Sequence, residues 1–353
     1  MAIATVTVDK GADGVAVATF NFPPVNAIGN EVQNGLYRTF TQLHADQEVK
    51  AIVLRGANGK FCGGGDIRGF QKLQDKGFAG EALLVPGFTL LSDVIEGGPK
   101  PVVAAIEGFA LGGGLELAMA CNARITVPKV KLGLVELQLG IIPGLGGTQR
   151  LPRLVGLQKA IDMLLASKTL TSEEAHKVGL VDAVVAYEDL IVAARKWALD
   201  ICESRQPWHR SLLKVDRLGS IPEALDILRN VRVKVNQMYA NVAYPFILLN
   251  VIEEGIVNGA VEGVKKEGKA CQDLIKTPEA KALMHVFFAQ RSSSKIPGIT
   301  DQGLIPRPIR KAAVIGGALM GSGIATALAL SNIPVLVKEI DKKQLDAAIQ
   351  RIY

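Results

Sequence analysis

The sequence predicts an α/β fold, and three patterns carry that expectation. Short apolar runs of β type recur at residues 15–20, 51–54 and 101–106. Between the first two, residues 30–46 place Val32, Leu36, Phe40 and Leu43 on one helical face. Behind the third, residues 115–121 read as a buried helix. Strands alternating with helical crossovers are the pattern of an α/β core.

Past Gln158 the pattern turns mostly helical. Thr171-Ser172-Glu-Glu-Ala opens a helix with acidic residues in its first turn, and Gly179 closes it. Residues 222–241 and 278–290 also read as helices. A Ser/Pro-containing stretch, 292–309, then reads as a linker, after which strand and helix signals resume. The expected organisation is a core at 1–195, a helical extension at 196–291, the linker at 292–309 and an incomplete second α/β domain at 310–353.

Composition excludes several classes. The chain has 353 residues, of which 48% are hydrophobic and 21% charged, enough apolar content to bury a large core. Its longest apolar window, 101–121, contains Glu107 and Glu116, so no membrane span is expected. Residues 1–8 lack the features of a secretory leader. Four separated cysteines and four histidines without ligand spacing predict neither a disulfide framework nor a metal site. A net charge of +6 suits an anionic cofactor as well as a nucleic acid, so charge alone does not choose.

Three segments carry the chemistry. They are Phe61-Cys-Gly-Gly-Gly-Asp66-Ile67, Gly108-Phe-Ala-Leu-Gly112-Gly113-Gly114-Leu-Glu116, and Val135-Glu136 running on to Pro143-Gly-Leu-Gly146-Gly147-Thr-Gln-Arg150. The first two end strands in glycine turns, whose backbone N–H groups are unscreened by side chains. Two such donors that converge stabilise an oxyanion. A helix starting near Gly113 adds its dipole at the same point. Glu116 lies one turn into an apolar helix, a costly place for a carboxylate without a task. Alone, Glu116 or Glu136 reads as a helix cap or a surface residue. Both beside glycine turns read as a pair that holds water and divides acid and base work.

On these three segments, residues 6–185 resemble the crotonase (enoyl-CoA hydratase/isomerase) superfamily. The resemblance implies a crotonase-type ββα spiral core. It also implies that Gly65 and Gly113 form the oxyanion hole and that Glu116 and Glu136 are the acid/base pair. Gly63 and Ile67 would line the adenine pocket, and Gly144 would stand beside the reacting acyl group. Gly65 stands where the family often has alanine, and Val135 where it often has proline before the second glutamate. The first change leaves N–H donation intact, and the second bears on the pose of Glu136. The implied reaction is hydration of trans-2-enoyl-CoA to 3-hydroxyacyl-CoA in fatty-acid β-oxidation, with Δ3,Δ2-enoyl-CoA isomerisation as a companion activity. Acyl-CoA is the substrate partner and the hydratase step needs no cofactor. Thioester hydrolysis, isomerisation alone, or an RNA-binding or scaffolding role are the alternatives.

The last segment runs Ala313-Val-Ile-Gly316-Gly317-Ala318-Leu-Met-Gly321, with Glu339 after the next strand. This is a dinucleotide-binding fingerprint, the opening β-α-β of a Rossmann-type domain. It resembles the start of an L-3-hydroxyacyl-CoA dehydrogenase, with Gly316, Ala318, Gly321 and Glu339 at the NAD-binding positions. Ala318 replaces the second glycine, where backbone approaches pyrophosphate, so weak NAD binding is expected. The module order resembles peroxisomal multifunctional β-oxidation enzymes, plant forms especially. That likeness implies a peroxisomal (glyoxysomal) location and favours a monomer.

Three other features read as structural. Gly263 to Ala270 imitates a phosphate loop but lacks the Mg²⁺-binding hydroxyl and sits in a helical pattern. Cys62 has no activating histidine nearby and reads as packing. Lys265, Lys266 and Lys269 read as a solvated helix face, and nucleic-acid contact is not expected there.

Overall fold

The computed structural model describes residues 5–76, 86–300 and 307–352. The chain forms two compact units, Met1–Ala289 and Gln290–Tyr353. In the first unit the strands are β1 (Thr5–Lys10), β2 (Val15–Asn21), β3 (Ala51–Gly56), β4 (Val102–Ile106), β5 (Phe109–Leu111), β6 (Ala123–Thr126), β7 (Lys131–Gly133) and β8 (Ala183–Val184). The main sheet has the order β1-β2-β3-β4-β6-β8; β1 runs antiparallel to β2 and every other pair is parallel. The inner strands are buried on both faces, which is why they read as continuous apolar runs. Edge strand β1 is mostly exposed and alternates Thr and Val.

Helices of this unit begin with α1 (Asn30–Ala45), α2 (Ile67–Lys76) and the short α3 (Gly87–Thr89), which continues as a π-helical stretch, Leu90–Glu96. They go on through α4 (Gly113–Ala120), α5 (Gly147–Val155), α6 (Leu157–Leu165), α7 (Ser172–Val178) and α8 (Leu190–Cys202). The helical remainder is α9 (Ile221–Met238), α10 (Tyr244–Val257), α11 (Ala260–Ile275) and α12 (Pro278–Ser293). α1 buries Val32, Leu36, Phe40 and Leu43, the stripe expected from spacing. α7 starts with a Thr171–Glu174 capping box and ends at left-handed Gly179. α9 starts one residue before Pro222, because Ser220 and Glu223 form a second capping box and proline is tolerated in a first turn.

A second, smaller ladder positions the site. β5 pairs with β7, and the bridge Cys62↔Ala110 adds the turn after β3 to the same ladder. Successive strand–turn–strand–helix units thereby stack their turns side by side, the ββα spiral expected from the resemblance.

Two boundaries differ in detail from the sequence reading. The position 195/196 falls inside α8, which packs across β3, β4 and β6. α12 runs on to Ser293, so helix continues into the stretch read as linker. Residues 71–86 are among the irregular segments expected from sequence to shape the acyl-chain pocket, and 77–85 of them lie outside the described residues.

The second unit holds β9 (Ala312–Ile315), α13 (Leu319–Leu330), β10 (Val335–Lys338) and α14 (Lys342–Ile352), with β9 and β10 parallel. A two-stranded sheet has little capacity to bury apolar side chains. Ile315 is 86% exposed, Leu319 80% and Ile340 86%.

Candidate active site

The two glycine turns are pressed together by backbone hydrogen bonds. Cys62 N–H donates to Phe109 O at 3.0 Å, and Leu111 N–H donates back to Cys62 O at 3.0 Å. Contact is so close that a Cβ on Gly114 would stand 2.6 Å from Cys62 Cβ. Gly112, at φ +50°, turns the chain into α4. A Cβ built on Gly113 would lie 3.5 Å from the amide nitrogen of Gly65, so these two backbones converge. Among the described residues neither the Gly65 nor the Gly113 N–H has a hydrogen-bond acceptor. Free, converging amides at the start of a helix suit a developing negative charge.

Two carboxylates flank this point. A Cβ on Gly112 would be 3.0 Å from Glu136 Oε1, and one on Gly113 would be 3.8 Å from Glu116 Oε2. Glu116 is 2% exposed, projecting from a helix whose every residue is buried. Its Oε1 accepts the N–H groups of Leu145 at 2.7 Å and Gly147 at 2.8 Å. Glu136 opens a 3₁₀ turn, Glu136–Leu139. Both its carboxyl oxygens are buried without a hydrogen-bond partner among the described residues.

The environments separate the pair electrostatically. Burial raises Glu136 well above the usual carboxylate range, and the Glu116 charge pushes it further. Burial also raises Glu116, but the Leu145 and Gly147 amides and the Arg150 charge pull against it. Glu136 is therefore the better proton carrier and Glu116 the better-stabilised anion.

The loop that holds Glu116 is itself fastened. Arg150, fully buried, donates to Leu145 O at 2.8 Å and pairs with Glu96 Oε2 at 2.8 Å. Glu96 also accepts Ser211 Oγ–H at 2.8 Å and Leu212 N–H at 2.9 Å, which satisfies its second oxygen.

Of the remaining positions, Gly63 lies in the first turn and donates its N–H to Val25 O at 2.8 Å, and Ile67 begins α2. Gly144 faces Cys271, whose Sγ would be 2.9 Å from a Cβ there. Burial pushes the Cys62 thiol up to about 12, which suits packing and not attack. Residues 263–270 lie within α11, with no phosphate-cradling loop. Lys265, Lys266 and Lys269 pair with Glu262, Glu254 and Asp273.

Sequence reasoning missed Glu267. It is fully buried on α11 and accepts hydrogen bonds from the Gly146 and Thr148 amides and the Thr148 hydroxyl. Flanking lysines disguised it as surface. The signal available was its spacing, since Val264, Glu267, Cys271 and Leu274 recur at helical intervals along one stripe.

In the second unit, left-handed Gly316 (φ +91°) makes the turn before α13, and Ala318 caps that helix. A Cβ on Gly321 would stand 1.7 Å from Gly316 O, so only glycine fits there. Glu339 accepts the Gly317 N–H. The turn and the Gly321 contact fit a dinucleotide, while the Ala318 methyl stands where backbone should approach phosphate.

Crotonase fold, adjoining glycine turns and buried glutamate pair agree with what sequence comparison finds. The chain belongs to the enoyl-CoA hydratase/isomerase family, whose signature matches residues 10–217. Residues 311–353 match the NAD binding domain of 3-hydroxyacyl-CoA dehydrogenase, so that domain is present as a fragment.

The particular relatives are multifunctional enzymes. The peroxisomal fatty acid beta-oxidation multifunctional protein AIM1 of Arabidopsis thaliana is 52% identical over 349 residues, covering 98% of this chain and 48% of the relative. The peroxisomal fatty acid beta-oxidation multifunctional protein of Oryza sativa subsp. japonica is 52% identical over 342 residues, covering 96% and 47%. The chain spans about half the length of the curated relatives it matches. Among solved structures, EchA1_1 of Mycobacterium paratuberculosis matches with a TM-score of 0.58 at 25% identity, covering 81% of this chain and 96% of that one. Among the described residues no helix is long and apolar enough to cross a membrane.

Proposed function

We propose that this chain hydrates trans-2-enoyl-CoA to 3-hydroxyacyl-CoA in peroxisomal (glyoxysomal) fatty-acid β-oxidation. The observation that carries the reading is the placement of Glu116 and Glu136 on either side of the Gly112–Gly113 turn, where two amides point free. The Gly65 and Gly113 N–H groups polarise the thioester carbonyl and draw electron density from C3. Glu116, held by two loop amides, orients water and takes the proton released as the oxygen bonds to C3. Glu136 delivers its proton to C2. The pair ends with one proton on the other carboxyl and exchanges it back through solvent.

Glu136 has no hydrogen-bond partner among the described residues, so it is also free to carry a proton between C4 and C2. That favours Δ3,Δ2-enoyl-CoA isomerisation as a second activity. Gly63 and Ile67 contact the adenine end of acyl-CoA, and Gly144 lies by the acyl group. The catalytic core then closes with α8 at Cys202 and the helical extension with α12 at Ser293, followed by a linker to 309 and the dehydrogenase start at 310–353, with a monomer as the working unit. Gly316, Ala318, Gly321 and Glu339 would hold NAD, which accepts hydride when bound in a complete dehydrogenase domain.

Loss of enoyl absorbance with crotonyl-CoA and with longer and aromatic enoyl-CoAs tests the proposal. Absence of turnover on every one of them would falsify it, and release of free CoA thiol instead would indicate a thioester hydrolase.

A further inference from the structure

Four consecutive backbone amides at the start of α5 are shared between two carboxylates. Leu145 N–H goes to Glu116 at 2.7 Å, Gly146 N–H to Glu267, Gly147 N–H to Glu116 at 2.8 Å, and Thr148 N–H to Glu267 at 2.7 Å. The alternation is geometric. Residues 145 and 147 give their amides to Glu116 and residues 146 and 148 to Glu267, with left-handed Gly146 (φ +102°) inside the segment.

We infer that Glu267, contributed by the helical extension, is a positioning residue for the hydratase pair: it fixes the 145–148 segment whose other amides orient Glu116. The inference rests on the hydratase reading. Glu267 stands 50 residues beyond the end of the family match at residue 217, so it comes from the part of the chain that the family signature does not include.

The hold on Glu267 is well determined. The Thr148 hydroxyl donates to it and accepts Gln149 Nε2–H at 2.9 Å, so the hydroxyl proton has one direction left. α11 packs directly on α5 and α10, which carries the carboxylate into the fully buried position. Arg150 also grips Leu145 O. The segment is thus pinned at both flanks, and Glu116 has its donors at fixed points.

The charged and titratable groups facing Glu267 are Glu116 and Glu136, with Arg150 and Cys271 beside them. Burial pushes the Glu267 carboxyl up to about 8, so its charge grows in from neutral to basic pH, and replacing it has two separable consequences. Glu116 loses its fixed donors, so the chemical step slows. Glu136 loses a neighbouring negative charge that holds its pKa up, so it ionises at lower pH. Gly63 and Ile67, the proposed CoA contacts, lie on other elements and stay in place.

Glu267→Gln is the primary test, because an amide keeps the size but turns one donor toward an N–H. We expect a folded protein whose kcat for crotonyl-CoA falls on the order of tenfold to a hundredfold, the scale for a displaced catalytic group. KM should stay within about twofold, since kcat falls alone when a transition-state interaction is lost. The basic limb of the kcat–pH profile, where Glu136 loses the proton it delivers, should move to lower pH. Thr148→Val, which removes one donor, should shift both readouts the same way but less, and Thr148→Ser should restore them. If Glu267→Gln does not fold, the Thr148 pair carries the test. An active wild type with unchanged kcat and basic limb in the folded variants overturns the inference alone. A wild type inactive on every enoyl-CoA overturns the hydratase reading and this inference with it.

Discussion

Glu116 Oε1 accepts the Gly147 N–H at 2.8 Å, and this bond joins the starts of two helices, α4 and α5. The carboxylate leaves the first helix and is aimed by the first amide of the second. A residue 31 positions away thus decides where the anion stands. Gly147 has to be glycine for this, because a Cβ there would lie 2.9 Å from Glu116 Oε1.

Gly147→Ala should accordingly impair chemistry more than it unfolds the protein. The added methyl also meets Pro143 Cβ at 2.9 Å and Leu134 Cδ1 at 3.0 Å, so overpacking of about 1–3 kcal/mol is expected. Urea titration measures that cost, and kcat at a pH where the variant is folded measures the displacement of Glu116. A variant with wild-type kcat would show that the carboxylate does not depend on this amide.

The two glutamates should separate by reaction. Glu136→Gln should lower both hydration and isomerisation by about 10²–10⁴-fold, the usual scale for a lost general acid or base. Glu116→Gln should damage hydration more, because only hydration needs an oriented water. Parallel assays with a 2-enoyl-CoA and a 3-enoyl-CoA read the split, and equal losses in both for Glu116→Gln would contradict the assigned roles.

Glu136 should make stability fall as pH rises. Its folded pKa lies above the ordinary 4.5, so the folded state holds the proton more tightly than the unfolded state. Stability from this group is therefore full below about pH 4.5 and declines as pH rises through the raised folded value. Glu136→Gln removes the titration, so its Tm should exceed that of wild type increasingly as pH rises above about 4.5 and converge with it in acid. Melting curves across that range test this, and a constant Tm difference would place the destabilising charge elsewhere.

NAD should bind this 353-residue chain only weakly. Its NAD-type unit exposes Ile315, Leu319 and Ile340, apolar surface that a fuller sheet and further helices would cover. Isothermal titration should give no saturation below about 1 mM NAD, and Ala318→Gly should tighten whatever binding exists. No NADH should form with a 3-hydroxyacyl-CoA. Micromolar affinity with NADH production would overturn this reading.

Much of the fold was legible because its signals are local. The α1 stripe, the Thr171 helix start and strands β2, β3 and β4 each declare themselves within a few residues of sequence. Glu116 and Glu136 were legible for a different reason: each stands beside a glycine turn, and the order and spacing of three segments point to one chemistry. Glu267 was not legible in that way. Its neighbours Lys265, Lys266 and Lys269 make its surroundings polar, and only burial of that helix face reveals a carboxylate without solvent.

By itself, then, the sequence determined the α/β class, the positions of the turns and the two glutamates, because backbone preference and hydrophobic period act over one or two turns of chain. Only the tertiary structure decided which carboxylate is anchored and which stands bare, and that a helix from the extension reaches the site. Those outcomes depend on hydrogen bonds between residues as far apart as Gly146 and Glu267, 121 positions in sequence. The physical reason is that a buried carboxylate takes its properties from the donors and charges around it, and folding brings those from distant segments.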